Sequence, residues 1–458
     1  MTIAQDIPSD LARAGATHVD DRPRWLERYH EVRSATQRLT EPLETEDFVL
    51  QTMPDVSPAK WHLAHTTWFF EQFLLLDGAV PGYRSFHPQF GYLFNSYYVT
   101  VGDRHCRIKR GTISRPTVAD IFAYRAHVDE HVARLIESAD AERWEHVRPR
   151  LEIGLNHEQQ HQELLLTDIK HVFSCNPLYP VYSEIVPAPA ERRTSPDMRF
   201  VGFEEGVREV GHDGEGFAWD NERPRHKVYV HAFEIADRLV TNGEFLEFVE
   251  DGGYGRATLW LSEGAAAVAS DRANWSHPFY WHRDGDHWLE FTLAGMRELD
   301  PHEPVCHLSY FEADAFARWR GCRLPTEFEW EVACVESGCD PAAGNFVETE
   351  AWHPQPAGTS LAESLHVPPA EPPCSERRLH QVFGDAWEWT ASQYTPYPGF
   401  RTLPGALGEY NGKFMSNQFV LRGGSCATPR SHIRPTYRNF FPAAARWQFS
   451  GLRLARDV

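Results

Sequence analysis

The chain has 458 residues, 42% of them hydrophobic, and a formal net charge of −20. That length and apolar content provide for two or three domains with sizeable cores, while the negative charge argues against nucleic acid and anionic membranes as partners. No apolar run is long enough to span a bilayer, and the N-terminal MTIAQDIPSD is acidic without an apolar core, unlike a signal peptide. The eight cysteines form no C-x-x-C pair or framework spacing, so reduced thiols in a cytoplasm are expected.

Apolar periodicity predicts helices near 20–38, 58–77, 117–138 and 148–173, an up-and-down four-helix bundle. In the second, SPAKWHLAHTTWFFEQFLLLDG, a stripe of Trp61, His65, Trp68, Phe69, Phe73 and Leu76 recurs at three- and four-residue steps. His65 shares that stripe, His62 lies off to one side, and Gly78 is a stop signal. The third, AYRAHVDEHVARLIE, carries His127 and His131 at i, i+4, pointing away from a stripe through Ile121, Val128, Val132 and Leu135. That pair reads as a solvated face.

The fourth helix, GLNHEQQHQELLLTDIKHVF, repeats the i, i+4 histidine spacing at His157 and His161, here on the flank of an apolar face through Leu151, Leu155, Leu165 and Ile169. Two imidazoles leaving one side of a helix can reach a single ion. The plain alternative is a pair of hydrogen-bonded core histidines. His65, on another apolar stripe, is the candidate third ligand. Three imidazoles without a thiolate suit zinc, iron or copper. Zinc with a bound water would make a hydrolase, whereas iron with open positions would make an oxygenase. Ligand type alone leaves both open.

After Phe173 the chain changes character. SCNPLYPVYSEIVPAPAERRTSPD is proline-rich and aperiodic, giving a division into a bundle over 1–175, a linker over 176–198 and a second domain over 199–458. That second domain is loop-rich, with short strands (HKVYVHAFEIA, FVLRGG, SGLRLAR) and compact helices (TNGEFLEFVEDGG, SYFEADAFARWRG), the pattern of an α+β fold.

Specific blocks carry a resemblance. DNERPRHKVYVHAFEIADRLVTNGEFLEFVEDGGY, PVCHLSYFEADAFARWRGCRLPTEFEWEVA, GDAWEWTAS, LRGGSCATPRSHIRPTYRN and FSGLRLAR resemble the formylglycine-generating-enzyme (sulfatase-modifying factor) domain, a variant of the C-type-lectin fold. HLAH and HEQQHQE resemble the damage-inducible-type metal-binding four-helix bundle. In this order, the two resemble the sulfoxide synthases of ergothioneine biosynthesis known as the EgtB family. The resemblance implies a non-haem iron(II) held by His65, His157 and His161. It further implies dioxygen as co-substrate and joining of a cysteine thiol to C2 of the imidazole of hercynine (trimethylhistidine), with oxidation of sulfur to the sulfoxide. It also implies hercynine binding by Gln160 and Asn439. Phe440 and Phe441 follow as candidates to face the trimethylammonium group, and Arg84 as one for a substrate carboxylate.

The chain departs from the family's best-known branch at the positions that hold the glutamyl group of γ-glutamylcysteine. Phe441 and Ala445 stand where that branch has an aspartate and an arginine, so free cysteine is the expected thiol. That branch's catalytic tyrosine has no match near Leu403 to Ala406, although Tyr410 lies close. Tyr97 and Tyr98 in FGYLFNSYYVT resemble instead a second branch in which a tyrosine pair supplies the active hydroxyl, the alternative being two tyrosines packed in a loop. Other readings are γ-glutamylcysteine as the thiol, an ovothiol-type synthase acting on histidine, and a zinc-dependent thiol transferase or non-catalytic binding module. A formylglycine-generating oxidase would need a copper-binding cysteine pair, and the matching block LRGGSCATPRSHIRPTYRN holds only Cys426.

Overall fold

The computed structural model describes residues 20–77, 80–184, 194–214, 216–270, 275–358 and 379–458, and the chain divides into two compact units. The first comprises Met1–Cys175 with Thr402–Gly412, and the second comprises Asn176–Arg401 with Lys413–Val458. The stop signal Gly78, the N-terminal MTIAQDIPSD and part of the linker (185–193) lie outside the described residues.

Four long helices make the first unit: α1 (Arg22–Arg38), α2 (Ala59–Phe70), then, after the short α3 (Phe90–Phe94), α4 (Val118–Ser138) and α5 (Ala141–Ser174). Helix α2 continues as a π-helical turn over Glu71–Leu75. There the Glu71 carboxylate accepts from Tyr83 and Tyr124 and from the Phe86 N–H, at 2.6–2.8 Å. Helix α4 opens on a capping box, Thr117 with Asp120. Helix α5 opens earlier than the periodicity predicts. Asp140 caps it by accepting from the Arg143 N–H at 2.9 Å, and the helix runs through Pro149. The first turns are held by burial of Trp144 and Val147, which outweighs the one backbone bond that an interior proline removes.

Two features set how α2 and α5 meet. A Cβ on Gly154 would lie 2.5 Å from the Phe70 ring, so this glycine admits the close approach one turn before His157. Beside it, the buried Glu158 carboxylate accepts from Arg33 of α1 at 2.8 Å, Arg125 of α4 at 2.5 Å and Thr36 of α1 at 2.6 Å. Arg33 also donates to Thr67 of α2 at 3.0 Å and to Asp129 of α4 at 2.7 Å. One carboxylate thereby links α1, α4 and α5, and Arg33 brings in α2. No described helix is long and apolar enough to cross a membrane.

The second unit is the expected α+β arrangement of small sheets and short helices. Strands β1 (Phe200–Phe203), β2 (Gly206–Val210), β3 (His226–Val230) and β4 (Phe233–Ala236) lead to α6 (Asn242–Glu250) and α7 (Ser262–Val268). A hairpin sheet of β5 (Trp281–Asp284), β6 (His287–Thr292) and β7 (Gly295–Glu298) follows, then α8 (Tyr310–Trp319) and α9 (Glu327–Glu336). The chain ends in β8 (Trp387–Gln393), β9 (Gln418–Arg422), β10 (Asn439–Pro442), β11 (Ser450–Gly451) and β12 (Ala455–Asp457). The sheet β10-β9-β8-β11 is built from the WEW, LRGGS, RN and FSG blocks, and β12 joins β4 in the sheet β1-β4-β12. Buried Arg–Glu pairs (Arg422–Glu331, Arg438–Glu327 and Arg453–Glu388, each 2.8–2.9 Å) fasten these strands to one another and to α9.

Glu158→Gln is expected to lower stability by about 3–5 kcal/mol in denaturant unfolding, because two buried guanidinium groups lose their counter-charge. The arginines hold the Glu158 carboxyl down to about 2 from an ordinary 4.5. Its stabilisation is therefore complete above about pH 4.5 and disappears as pH falls toward 2. The variant should have a correspondingly shallower loss of stability across that window.

Candidate metal centre

The α2 and α5 stripes face each other, and three histidines meet between them. His65, His157 and His161 are all buried, their ring centroids lie 4.7–5.0 Å apart, and one nitrogen from each lies within 4.8 Å of the others. The His65 ring is stacked against Trp61 at 4.5 Å and Trp68 at 5.6 Å. Its Nδ1–H donates to the Phe94 carbonyl at 2.6 Å, which leaves the Nε2 lone pair uncovered, and that buried Nε2 has no hydrogen-bond partner. The His157 ring lies 4.5 Å from Phe69, and both its nitrogens are buried without a hydrogen-bond partner. The Nδ1 of His161 meets Nδ1 of His62 at 2.9 Å.

Burial disfavours the charged imidazolium at each site. It pulls His157 down to about 3 and His65 and His161 well below the ordinary histidine value, with neighbouring imidazoles lowering the latter two further. At neutral pH the three are uncharged and each offers a lone pair. Buried lone pairs facing one another are unfavourable as they stand, and a cation accepts one from each of the three rings. The residues therefore fit a metal, and the donor set of three neutral imidazoles suits iron, zinc or copper. The neighbouring Glu158 is committed to its arginines, and the group consists of the three histidines alone.

Tyrosines surround the centre. Tyr98 is fully buried and packs its ring 5.3–6.3 Å from Trp68, Phe69 and Phe73, with Tyr97 stacked on it at 4.6 Å. Burial pushes the Tyr98 phenol well above its ordinary value, so it keeps its proton. The segment 402–412, expected in the second domain, belongs to the first unit instead. Its Glu409 carboxylate accepts from the backbone N–H groups of Val99 and Thr100 at 3.0 and 2.9 Å. That anchorage sets Tyr410 with its ring 5.7 Å from His157 and 6.0 Å from Tyr97, and its hydroxyl donates to Gln160 Oε1.

Of the residues singled out in the sequence, His65, His157, His161, Gln160, Tyr97 and Tyr98 thus gather in the first unit. Arg84 is exposed on the 80–89 loop. Asn439, Phe440 and Phe441 form β10 of the second unit, where Asn439 Oδ1 accepts from the Phe440 N–H and Phe440 stacks on Tyr394 at 4.0 Å. Phe441 is half-buried near Trp447, and Ala445 is buried. The histidines His127 and His131 are not the solvated face expected. They are half-buried, with Tyr83 edge-on to His131 at 5.1 Å and Phe86 5.3 Å from His127, because the 80–89 loop packs over them.

Sequence reasoning passed over His62 and Asp168 and left Tyr410 without a role. The i, i+3 spacing of His62 and His65, and the i, i+7 spacing of His161 and Asp168, were signals for the first two. For Tyr410 the signal was its closeness to the place of the catalytic tyrosine in the family's best-known branch, and a long chain excursion brings it back.

Residues 184–458 match the sulfatase-modifying factor enzyme 1-like domain family, and residues 28–165 match the DinB superfamily. The chain is 32% identical to the hercynine oxygenase of Mycolicibacterium smegmatis, over 93% of this chain and 98% of that one. It is 34% identical to the hercynine oxygenase of Mycolicibacterium thermoresistibile, over 93% of each. A formylglycine-generating enzyme of Streptomyces coelicolor is 28% identical over 57% of this chain and 86% of its own. Fold and site thus define a class, a DinB-type helical bundle followed by a sulfatase-modifying-factor module of C-type-lectin-like α+β fold. Within that class the chain belongs to the hercynine oxygenase family and is an enzyme of the oxygenase type.

Replacing His65, His157 or His161 singly by alanine is expected to abolish stoichiometric metal in anaerobically purified protein, measured by elemental analysis. His127→Ala, whose helix spacing is the same, should leave the metal content unchanged.

Proposed function

We propose that this enzyme binds iron(II) through His65, His157 and His161 and joins the thiol of cysteine to C2 of the hercynine imidazole, leaving a sulfoxide. The overall balance is one imidazole C–H, one S–H and one dioxygen in, one C–S(=O) link and one water out. The observation that carries the reading is the cluster of three neutral, buried imidazoles, with uncovered nitrogens on His65 and His157. It stands in a chain whose hercynine oxygenase relatives match over 93% of its length. Those relatives are named for an oxygenase reaction, which favours a redox-active ion over zinc.

Iron in this ligand set would supply one-electron chemistry with dioxygen and hold the substrate sulfur as thiolate. The chain's own groups do the rest. Trp61, Trp68 and Phe69 cover the histidines and exclude water from their nitrogens. Gln160, fixed by the Tyr410 hydroxyl, is placed to orient the substrate imidazole. Tyr97, Tyr98 and Tyr410 are the phenols able to donate a proton to reduced oxygen or to take the proton released at C2. Asn439, Phe440 and Phe441 remain proposed substrate contacts on the strength of the family resemblance, whereas the exposure of Arg84 speaks against it.

Free cysteine is the proposed thiol. Phe441 and Ala445 offer no charge to a glutamyl head group, and the adjacent Arg446 is already bound to Glu312 at 2.7 Å. The block LRGGSCATPRSHIRPTYRN holds only Cys426 and lacks a close second cysteine, which disfavours that oxidase chemistry.

The deciding experiment incubates the iron-loaded enzyme with hercynine and either cysteine or γ-glutamylcysteine under oxygen. The expected product is hercynylcysteine sulfoxide, formed faster from cysteine, with oxygen uptake requiring both substrates. Uptake without dependence on hercynine, or full activity with zinc alone, would refute the proposal. Phenylalanine at Tyr97, Tyr98 or Tyr410 separates the phenols. Removing the one that transfers the proton should cut sulfoxide formation by about 10²-fold or more and divert turnover to simple thiol oxidation.

A further inference from the structure

Beside the three candidate ligands, a buried chain of side chains runs away from His161. His161 Nδ1 meets His62 Nδ1 at 2.9 Å, and His62 Nε2 meets Asp168 Oδ2 at 2.9 Å. The same Asp168 oxygen accepts from the Ser57 N–H at 2.7 Å, so the carboxylate is pinned from outside as well. His62 is 3% exposed and Asp168 4%. The chain leaves α5 at His161, crosses to α2 at His62, and returns to α5 at Asp168, two helical turns further on.

With both imidazoles neutral, the protons in this chain have one consistent arrangement. A carboxylate can only accept, so the nitrogen facing it, His62 Nε2, must carry hydrogen. With one proton per imidazole, His62 Nδ1 is then a bare acceptor, and the nitrogen facing it, His161 Nδ1, must carry hydrogen in turn. His161 is left with its lone pair on Nε2. The reversed arrangement would set a His62 lone pair against the carboxylate. His65 reaches the same tautomer by another route, through the Phe94 carbonyl.

We propose that His62 and Asp168 are positioning residues that lock His161 in its Nε2-ligating tautomer and orientation through a carboxylate–imidazole–imidazole relay. The inference rests on the metal-binding reading above for its function, although the relay itself belongs to the metal-free protein. Partners of this kind fix a ligand's ring and raise its basicity, and removing them from metal sites typically weakens binding 10–100-fold. His157 has no hydrogen-bonded partner on either nitrogen. The hydrogen-bonded support of the site is therefore unequal, with two rings held by polar partners and the third by packing against Phe69.

The test uses the full-length metal-free protein with 15N-labelled histidine, and His62→Phe, His62→Asn and Asp168→Asn variants. Asparagine at position 62 keeps an oxygen near the place of Nδ1, so it can still accept from His161. Two readouts are taken: the His161 tautomer by nitrogen NMR, and the affinity for Fe(II) by anaerobic competition with a chromophoric chelator. The expected result is the Nδ1–H form of His161 in the unaltered protein and a mixture in His62→Phe and Asp168→Asn. Their Fe(II) affinity should fall 10–100-fold, with recovery to within about threefold in His62→Asn at unchanged thermal melting. An Nε2–H form of His161 in the unaltered protein would overturn the proposal, and so would undiminished affinity in both His62→Phe and Asp168→Asn. Failure of the unaltered protein to bind Fe(II) at all would instead refute the metal-binding reading. The NMR result would still decide the relay.

Discussion

The arrangement of this protein's reactive centre depends on a carboxylate that never touches it. Glu158 sits between His157 and His161 on α5 but leaves the helix in a different direction, toward Arg33 and Arg125, which supply its counter-charge. A buried ion pair of this kind contributes little net stability compared with a well-packed apolar group, yet its geometry is exacting, since a displaced charge loses its partners. Rotation or a one-residue slip of α5 would pull Glu158 from both guanidinium groups. The clamp thereby fixes the rotation of the helix, and with it the direction in which the two histidines leave it.

A second constraint acts across the same helix pair. Gly154 lets the Phe70 ring approach α5 directly, bringing α2 near enough for His65 to complete a triangle with His157 and His161. Above that contact the bundle is packed with rings. Trp61 and Trp68 hold the His65 plane between them, and Phe69 lies against His157. Such packing does two jobs. It restricts each imidazole to one rotamer, and it withholds the water that would otherwise satisfy the nitrogens. The histidines are left neutral and coordinatively open because their surroundings are apolar.

The polar groups that remain near the centre have defined tasks in hydrogen bonding. Phe94 carbonyl, His62 with Asp168, and Gln160 with Tyr410 each fix one side chain at the rim of the triangle. Tyr410 arrives from residues 402–412, a segment that leaves the second unit's sequence to complete the first unit's site and is tied down by Glu409. The arrangement brings phenols from parts of the chain far apart in sequence to three histidines held on two helices.

Much of this was legible in the amino-acid sequence. The 3.6-residue periodicity of α2 and α5 placed His65, His157 and His161 on buried faces, and the block pattern of the C-terminal half announced its α+β sheets. These features are local, because a helix face is determined by residues three and four apart. Other properties depended on contacts between elements. The relay through His62 needs α2 and α5 at their folded separation, His127 and His131 are covered by a loop whose path no periodicity encodes, and α5 begins before Pro149 because Trp144 and Val147 find partners. Tyr410 lies some 250 positions from Gln160, and only chain closure brings the two together. The sequence alone determined which side chains face inward; the tertiary structure decided which of them meet, because that depends on the rotation and spacing of elements that carry no record of one another in their own periodicity.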